Sequence, residues 1–133
     1  MPHGVPCSLG TQYLIVHWIS ASEGDRMTYN DLVKIAIDTR QRLESYEKRT
    51  IGKTWGNEEL LIGLVTDVGD LARLVLAKEG FRAAGPDIDK ALRHELADCL
   101  WATIVLAEKY NINLADALVE MSEEIGEKLE GES

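Results

Sequence analysis

The sequence predicts an all-α fold, a four-helix bundle behind an irregular N-terminal leader. Three observations predict it. Apolar residues recur at helical spacing from Thr28 onward, nearly every break in that pattern carries a helix start or stop signal, and strand-type alternation is almost absent. A chain of 133 residues is the size of one domain and can bury a core without disulfide or metal staples. We divide it into a leader, residues 1–26, and a helical domain, residues 27–133.

The leader mixes early Pro and Gly with a short strand-like run and a polar turn. Two readings of it stand: an extension preceding a translation start at Met27, or an extra element in which "TQYLIVHWIS" packs on the bundle. The first helix opens at Thr28, which forms a capping-box pattern with Asp31, and it runs through Leu32, Ile35 and Leu43 to about Arg49. "TIGKTWG" interrupts the pattern. Asn57 is the expected cap of the second helix, with Glu58 and Glu59 favourable at the positive end of its dipole, and Gly80 is the expected C′ residue. A third helix is expected from about Ile88 to Tyr110, and a fourth from near Asn113, with Asp116 at the capping-box position. Short connections between helices favour a bundle.

Charge excludes one class of partner. The net charge of −9, with no face rich in Lys and Arg, argues against nucleic acid, because phosphate binding needs clustered cations. The apolar run "YLIVHWISA" falls well short of the roughly 20 residues that a membrane span requires, so no membrane partner is expected. Cys7 and Cys99 form neither a CxxC motif nor a secreted framework, which fits a reducing cytoplasm, with Cys99 read as a small core residue.

The residues that carry chemistry are acids in apolar helices. Leu60, Gly63, Asp67, Asp70 and Leu74 follow the 3,4 spacing of one helix seam, and Ile88, Ala91, Glu95, Asp98, Ala102 and Val105 follow it on the next. Each seam is apolar at its ends and acidic in its middle. If the seams face one another, four carboxylates converge, and repulsion and desolvation raise some of their pKa values unless a cation neutralises them. The all-oxygen set suits Mg²⁺, or Mn²⁺, rather than zinc. A single pair of this kind more often lies on a solvated face, or pairs with a cation such as Arg73, Arg93 or Lys90. Two matched pairs inside apolar seams favour the metal site. "HELAD" lacks the second histidine of a zinc-protease helix, so His94 reads as a surface residue.

These residues resemble the all-α nucleoside triphosphate pyrophosphohydrolases, the MazG-like family with its dimeric dUTPase, dCTP pyrophosphatase and phosphoribosyl-ATP pyrophosphohydrolase relatives. The family signature is Glu-x-x-Glu, a gap of a couple of dozen residues, then Glu-x-x-Asp. Here it reads "DVGD", the 24 residues from 71 to 94, then "ELAD". "GDLARLV" and "KYNINLADAL" extend the likeness over about residues 28 to 128. The resemblance implies a four-helix bundle of the MazG-like type. It implies that Asp67, Asp70, Glu95 and Asp98 hold Mg²⁺ against a substrate triphosphate and carry catalysis. Water then attacks between the α and β phosphates, releasing a nucleoside monophosphate and pyrophosphate, a house-cleaning role in the nucleotide pool.

The chain departs from the family at five positions. Asp67 and Asp70 stand where Glu is usual, Thr66 replaces a further Glu, and Met121 and Ile125 lie near positions where relatives place a phosphate-binding Lys or Asn. Lys53, with Lys48 and Arg49, is the candidate substitute phosphate contact, against the reading of a solvated loop. Trp55, and less so Trp101, is the candidate base-stacking residue, against the reading of a core aromatic. The departures keep a second function open, a catalytically silent helical dimer that binds nucleotide or metal. Leu92, Leu96, Leu100 and Ile104 mark an apolar face apart from the acids, from which a homodimer or dimer of dimers is expected.

Overall fold

The computed structural model describes residues 26–131, and over that range the chain is all-α, with four helices and no strand among the described residues. Expectations placed on the leader, including Cys7 and the run at 11–20, lie outside the described residues. The helices are α1 (Tyr29–Thr50), α2 (Asn57–Lys78), α3 (Ile88–Lys109) and α4 (Leu114–Gly131). No helix among the described residues is long and apolar enough to cross a membrane.

Local chemistry sets the boundaries. Asp31 N–H donates to Thr28 Oγ1 at 3.2 Å and Thr28 N–H donates to Asp31 Oδ2 at 2.9 Å, the reciprocal box expected for α1. At its other end Gly52, with φ +81°, sends its N–H back to the Glu47 carbonyl. The cap of α2 is Gly56 rather than Asn57. Gly56 has no side chain to offer, so half a box remains, in which Gly56 N–H donates to the Glu59 carboxylate at 2.8 Å. Gly80, with φ +84°, closes α2 as expected. Asn113 Oδ1 accepts from Ala115 N–H at 2.9 Å and Asp116 N–H at 3.3 Å and so caps α4.

Helices α2 and α3 pack most extensively on each other, and α1 packs on α3. Ala36, Leu60, Ile104 and Val105 form the buried cluster, and Leu32, Val33, Trp101, Leu106 and Leu114 pack around it. Trp101 is therefore a core aromatic, its indole N–H donating to the Ala36 carbonyl at 3.1 Å across the α1–α3 contact. Ile35 and Leu43, part of the apolar pattern that marks the helix, are exposed; the inward face of α1 runs through Ala36, Arg40 and Glu47. Ile104, expected on an open face with Leu96 and Leu100, is buried, while those two leucines are exposed.

Leu114 N–H donates to the Tyr29 hydroxyl at 3.1 Å, tying the start of α4 to the start of α1. Beyond that point α4 buries no residue, although Leu118, Met121, Ile125 and Leu129 line up along one side of it.

Candidate metal centre and adjoining cleft

Packing of α2 against α3 brings three of the four sequence-predicted acids together. Asp67 from α2 and Glu95 and Asp98 from α3 each offer a carboxylate oxygen within 4.8 Å of the others, and all three are half-buried. Glu95 and Asp98 lie three residues apart and so share a face of α3. Asp70 lies outside this cluster. Its carboxylate pairs with Arg73 on the next turn of α2, so the expected fourfold convergence is threefold. His94 is largely exposed, and its Nε2 lies 3.1 Å from Asp98 Oδ2.

Electrostatics follows from this placement. Burial pushes the Asp67 carboxyl above its ordinary value, the Asp98 charge pushes it further, and His94 partly opposes them. Cys99, half-buried rather than in the core, has its thiol pushed up by burial and then by Asp67, Glu95 and Asp98. The donor set fits a hard cation. Three carboxylate oxygens that can approach one another are the donor type Mg²⁺ takes, and a cation held among them would relieve the repulsion that raises Asp67.

Asp67 also ends a cleft of about 320 Å³ lined by Trp55, Glu59, Ile62, Gly63, Thr66 and Asp67. Five of these residues lie on one face of α2, and Trp55 reaches it from the α1–α2 link. A Cβ on Gly63 would stand 3.2 Å from Trp55 Cζ3, tighter than ordinary contact, so glycine lets the indole lie close on the helix. Trp55 remains 42% exposed and is not a core residue. Lys53 is exposed in the same link and does not line the cleft.

Sequence reasoning missed the residues behind Trp55. Arg40 Nη1 and Nη2 donate to Glu47 Oε1 and Oε2 at 2.8 and 3.0 Å, and Arg40 Nε donates to Glu44 at 3.1 Å. The signal was present: stepping by four from Leu32 and Ala36 leads to Arg40, so the arginine sits on the inward face. No family model and no curated protein sequence matches the chain.

Proposed function

We propose that the chain is a Mg²⁺-dependent nucleotide pyrophosphohydrolase of the MazG-like type, cleaving a nucleoside triphosphate to the monophosphate and pyrophosphate in cytoplasmic nucleotide-pool house-cleaning. The observation that carries this reading is the double membership of Asp67, which belongs both to the acidic cluster and to the cleft beneath Trp55. A ligand with a flat aromatic end and a polyanionic end fits that juxtaposition.

Asp67, Glu95 and Asp98 would hold Mg²⁺, and Asp70 would join them by exchanging Arg73 for the cation. Bound there, Mg²⁺ supplies charge neutralisation for phosphoryl oxygens and activation of water. Trp55 stacks on the base and Lys53 meets phosphate from the α1–α2 link. A carboxylate of the set that is free of the cation takes a proton from the attacking water. The chain acts as a homodimer or dimer of dimers, supported by the exposed apolar side chains along α4.

Pyrophosphate release from ribo- and deoxynucleoside triphosphates in the presence of Mg²⁺ tests the proposal. Release that is abolished in Asp98→Asn supports it. No release from any nucleotide, with Mg²⁺ still raising the melting temperature, would leave the second reading, a silent helical dimer that binds nucleotide or metal. The Asp70–Arg73 pairing favours that alternative, because it occupies one of the expected ligands.

A further inference from the structure

Among the described residues two charged side chains are buried, Arg40 at 3% exposure and Glu47 at 7%, and both bond to the backbone of one residue in a loop. Arg40 Nη2 donates to the Trp55 carbonyl at 3.1 Å, and Glu47 Oε2 accepts from the Trp55 N–H at 2.9 Å. The same Nη2 and Oε2 bond to each other at 3.0 Å, so the ion pair and the Trp55 backbone close a ring. Burial of a salt bridge is poor at stabilising a fold, since desolvation offsets much of the attraction. What a bidentate Arg–carboxylate pair does supply is fixed geometry. Here the fixed geometry is applied to both polar groups of one peptide residue, as a neighbouring strand would apply it.

The consequence appears on the other side of Trp55. With its backbone held by α1, the indole is laid against Gly63 of α2, where it forms the wall of the cleft that ends at Asp67. An exposed tryptophan on an unsupported six-residue link would sample many rotamers and lose entropy on stacking. This one is held at the backbone by side chains rooted in a helix of 22 residues, about six turns.

We propose that Arg40 and Glu47 are positioning residues that hold Trp55 in place as the stacking wall for a nucleotide base, so that the buried ion pair sets substrate affinity from behind the site. This rests on the pyrophosphohydrolase reading for its substrate, a nucleoside triphosphate with its base on the indole and its phosphates toward the acids. The pair touches no substrate itself. Its effect falls on binding rather than on the chemical step, because Trp55 lies at the base end of the cleft.

The test uses the full chain labelled with 5-fluorotryptophan, the Trp55 resonance being assigned with Trp55→Phe. In Glu47→Gln the Trp55 resonance is expected to shift and broaden, with the Trp101 resonance and helical content unchanged. With Mg²⁺–dCTP and Mg²⁺–dUTP as substrates, Glu47→Gln should raise KM roughly tenfold, in keeping with the worth of a stacked base, and leave kcat within about twofold. Glu47→Gln combined with Trp55→Ala should be no worse than Trp55→Ala alone, a non-additivity that general loosening of the fold would not produce. Arg40→Lys, which keeps the charge and loses the fork, serves where Glu47→Gln does not fold, and should show the same KM rise. An unchanged Trp55 resonance with an unchanged KM would overturn the positioning role and leave the hydrolase reading intact. A wild type that hydrolyses nothing would sink the hydrolase reading. The positioning role would then be judged on the Trp55 resonance and its response to Mg²⁺ with a non-hydrolysable α,β-imido dUTP, where equal responses in wild type and Glu47→Gln would overturn it.

Discussion

Asp67 on α2 and Asp98 on α3 face each other with carboxylate oxygens within 4.8 Å, and the charge of Asp98, added to burial, lifts the Asp67 carboxyl above its ordinary value. A carboxyl raised in the folded state binds protons that the unfolded chain has already released. Stability therefore falls as pH rises from the ordinary value of 3.8 through the raised one, and the cost stays in place at neutral pH. Asp67→Asn removes that cost. Thermal melts of the metal-free protein should show Asp67→Asn more stable than wild type at pH 7, and the advantage should vanish near pH 3.

Asp70→Asn should behave differently, because Asp70 faces Arg73 rather than the cluster. Both partners of that pair are substantially exposed, and exposed i,i+3 pairs contribute roughly 0.2–1 kcal/mol. The metal-free Asp70→Asn protein should therefore melt at or slightly below the wild-type temperature. A gain equal to that of Asp67→Asn would place Asp70 within the repelling set.

Cation binding to the folded state alone raises stability by linkage. Titration with Mg²⁺ or Mn²⁺ should raise the wild-type melting temperature, and Glu95→Gln should lose most of the rise. Glu123→Gln, on the exposed side of α4, should keep it. A wild type that gains nothing from either ion, with or without a non-hydrolysable nucleotide, would remove the metal centre.

What was legible in the sequence was what local chemistry decides. The Thr28–Asp31 box, Gly80 and the α3 span follow from neighbours within a turn, and the two acidic seams follow from helical periodicity. The Asp70–Arg73 pairing is legible as an i,i+3 neighbour, and Asp70 lies outside the acidic cluster. Arg40 and Glu47 were illegible as a pair for a different reason. Seven residues apart on one helix, they acquire a role only once the α1–α2 link folds back to bring the Trp55 peptide to them, a contact across 15 residues from Arg40 and 8 from Glu47. Leu43 is exposed while a satisfied ion pair is buried on the same helix, so apolarity alone does not mark the inward face of α1.

The Arg40–Glu47 pair makes the fold acid-sensitive. Its hydrogen bonds from Arg40 and then from the Trp55 backbone outweigh burial and hold the Glu47 carboxyl below its ordinary value. A depressed carboxyl contributes stability that is present above the ordinary value of 4.5 and is lost as pH falls through the lowered one. Arg40→Ala leaves the buried carboxylate and the Trp55 carbonyl without their donor, and should cost roughly 3–5 kcal/mol in urea unfolding at pH 7. Replacing both partners with apolar residues should not restore the loss, as it often does for buried pairs, because the Trp55 N–H and C=O would stay unpaired. Full recovery in Arg40→Met/Glu47→Leu would show that the backbone bonds matter little.

The apolar side of α4 makes the last prediction. Leu118, Met121, Ile125 and Leu129 recur at helical spacing and are 61%, 48%, 48% and 65% exposed, on a helix that buries no residue. An isolated helix of 18 residues is marginal in water, so α4 needs its apolar stripe covered in order to persist. Near the base of the helix, Tyr29, Leu32, Leu100, Ile104, Leu114 and Leu118 line an apolar groove of about 410 Å³ that continues the stripe. A second copy of the chain presents the same stripe and groove, and a twofold arrangement covers both at once. Light scattering should therefore give at least a dimer at micromolar concentration. Ile125→Glu with Leu129→Glu, far along α4 from the acidic cluster, should yield a monomer with reduced helical content, as the unsupported helix frays. A wild-type monomer with full helical content would show that α4 stands without a partner.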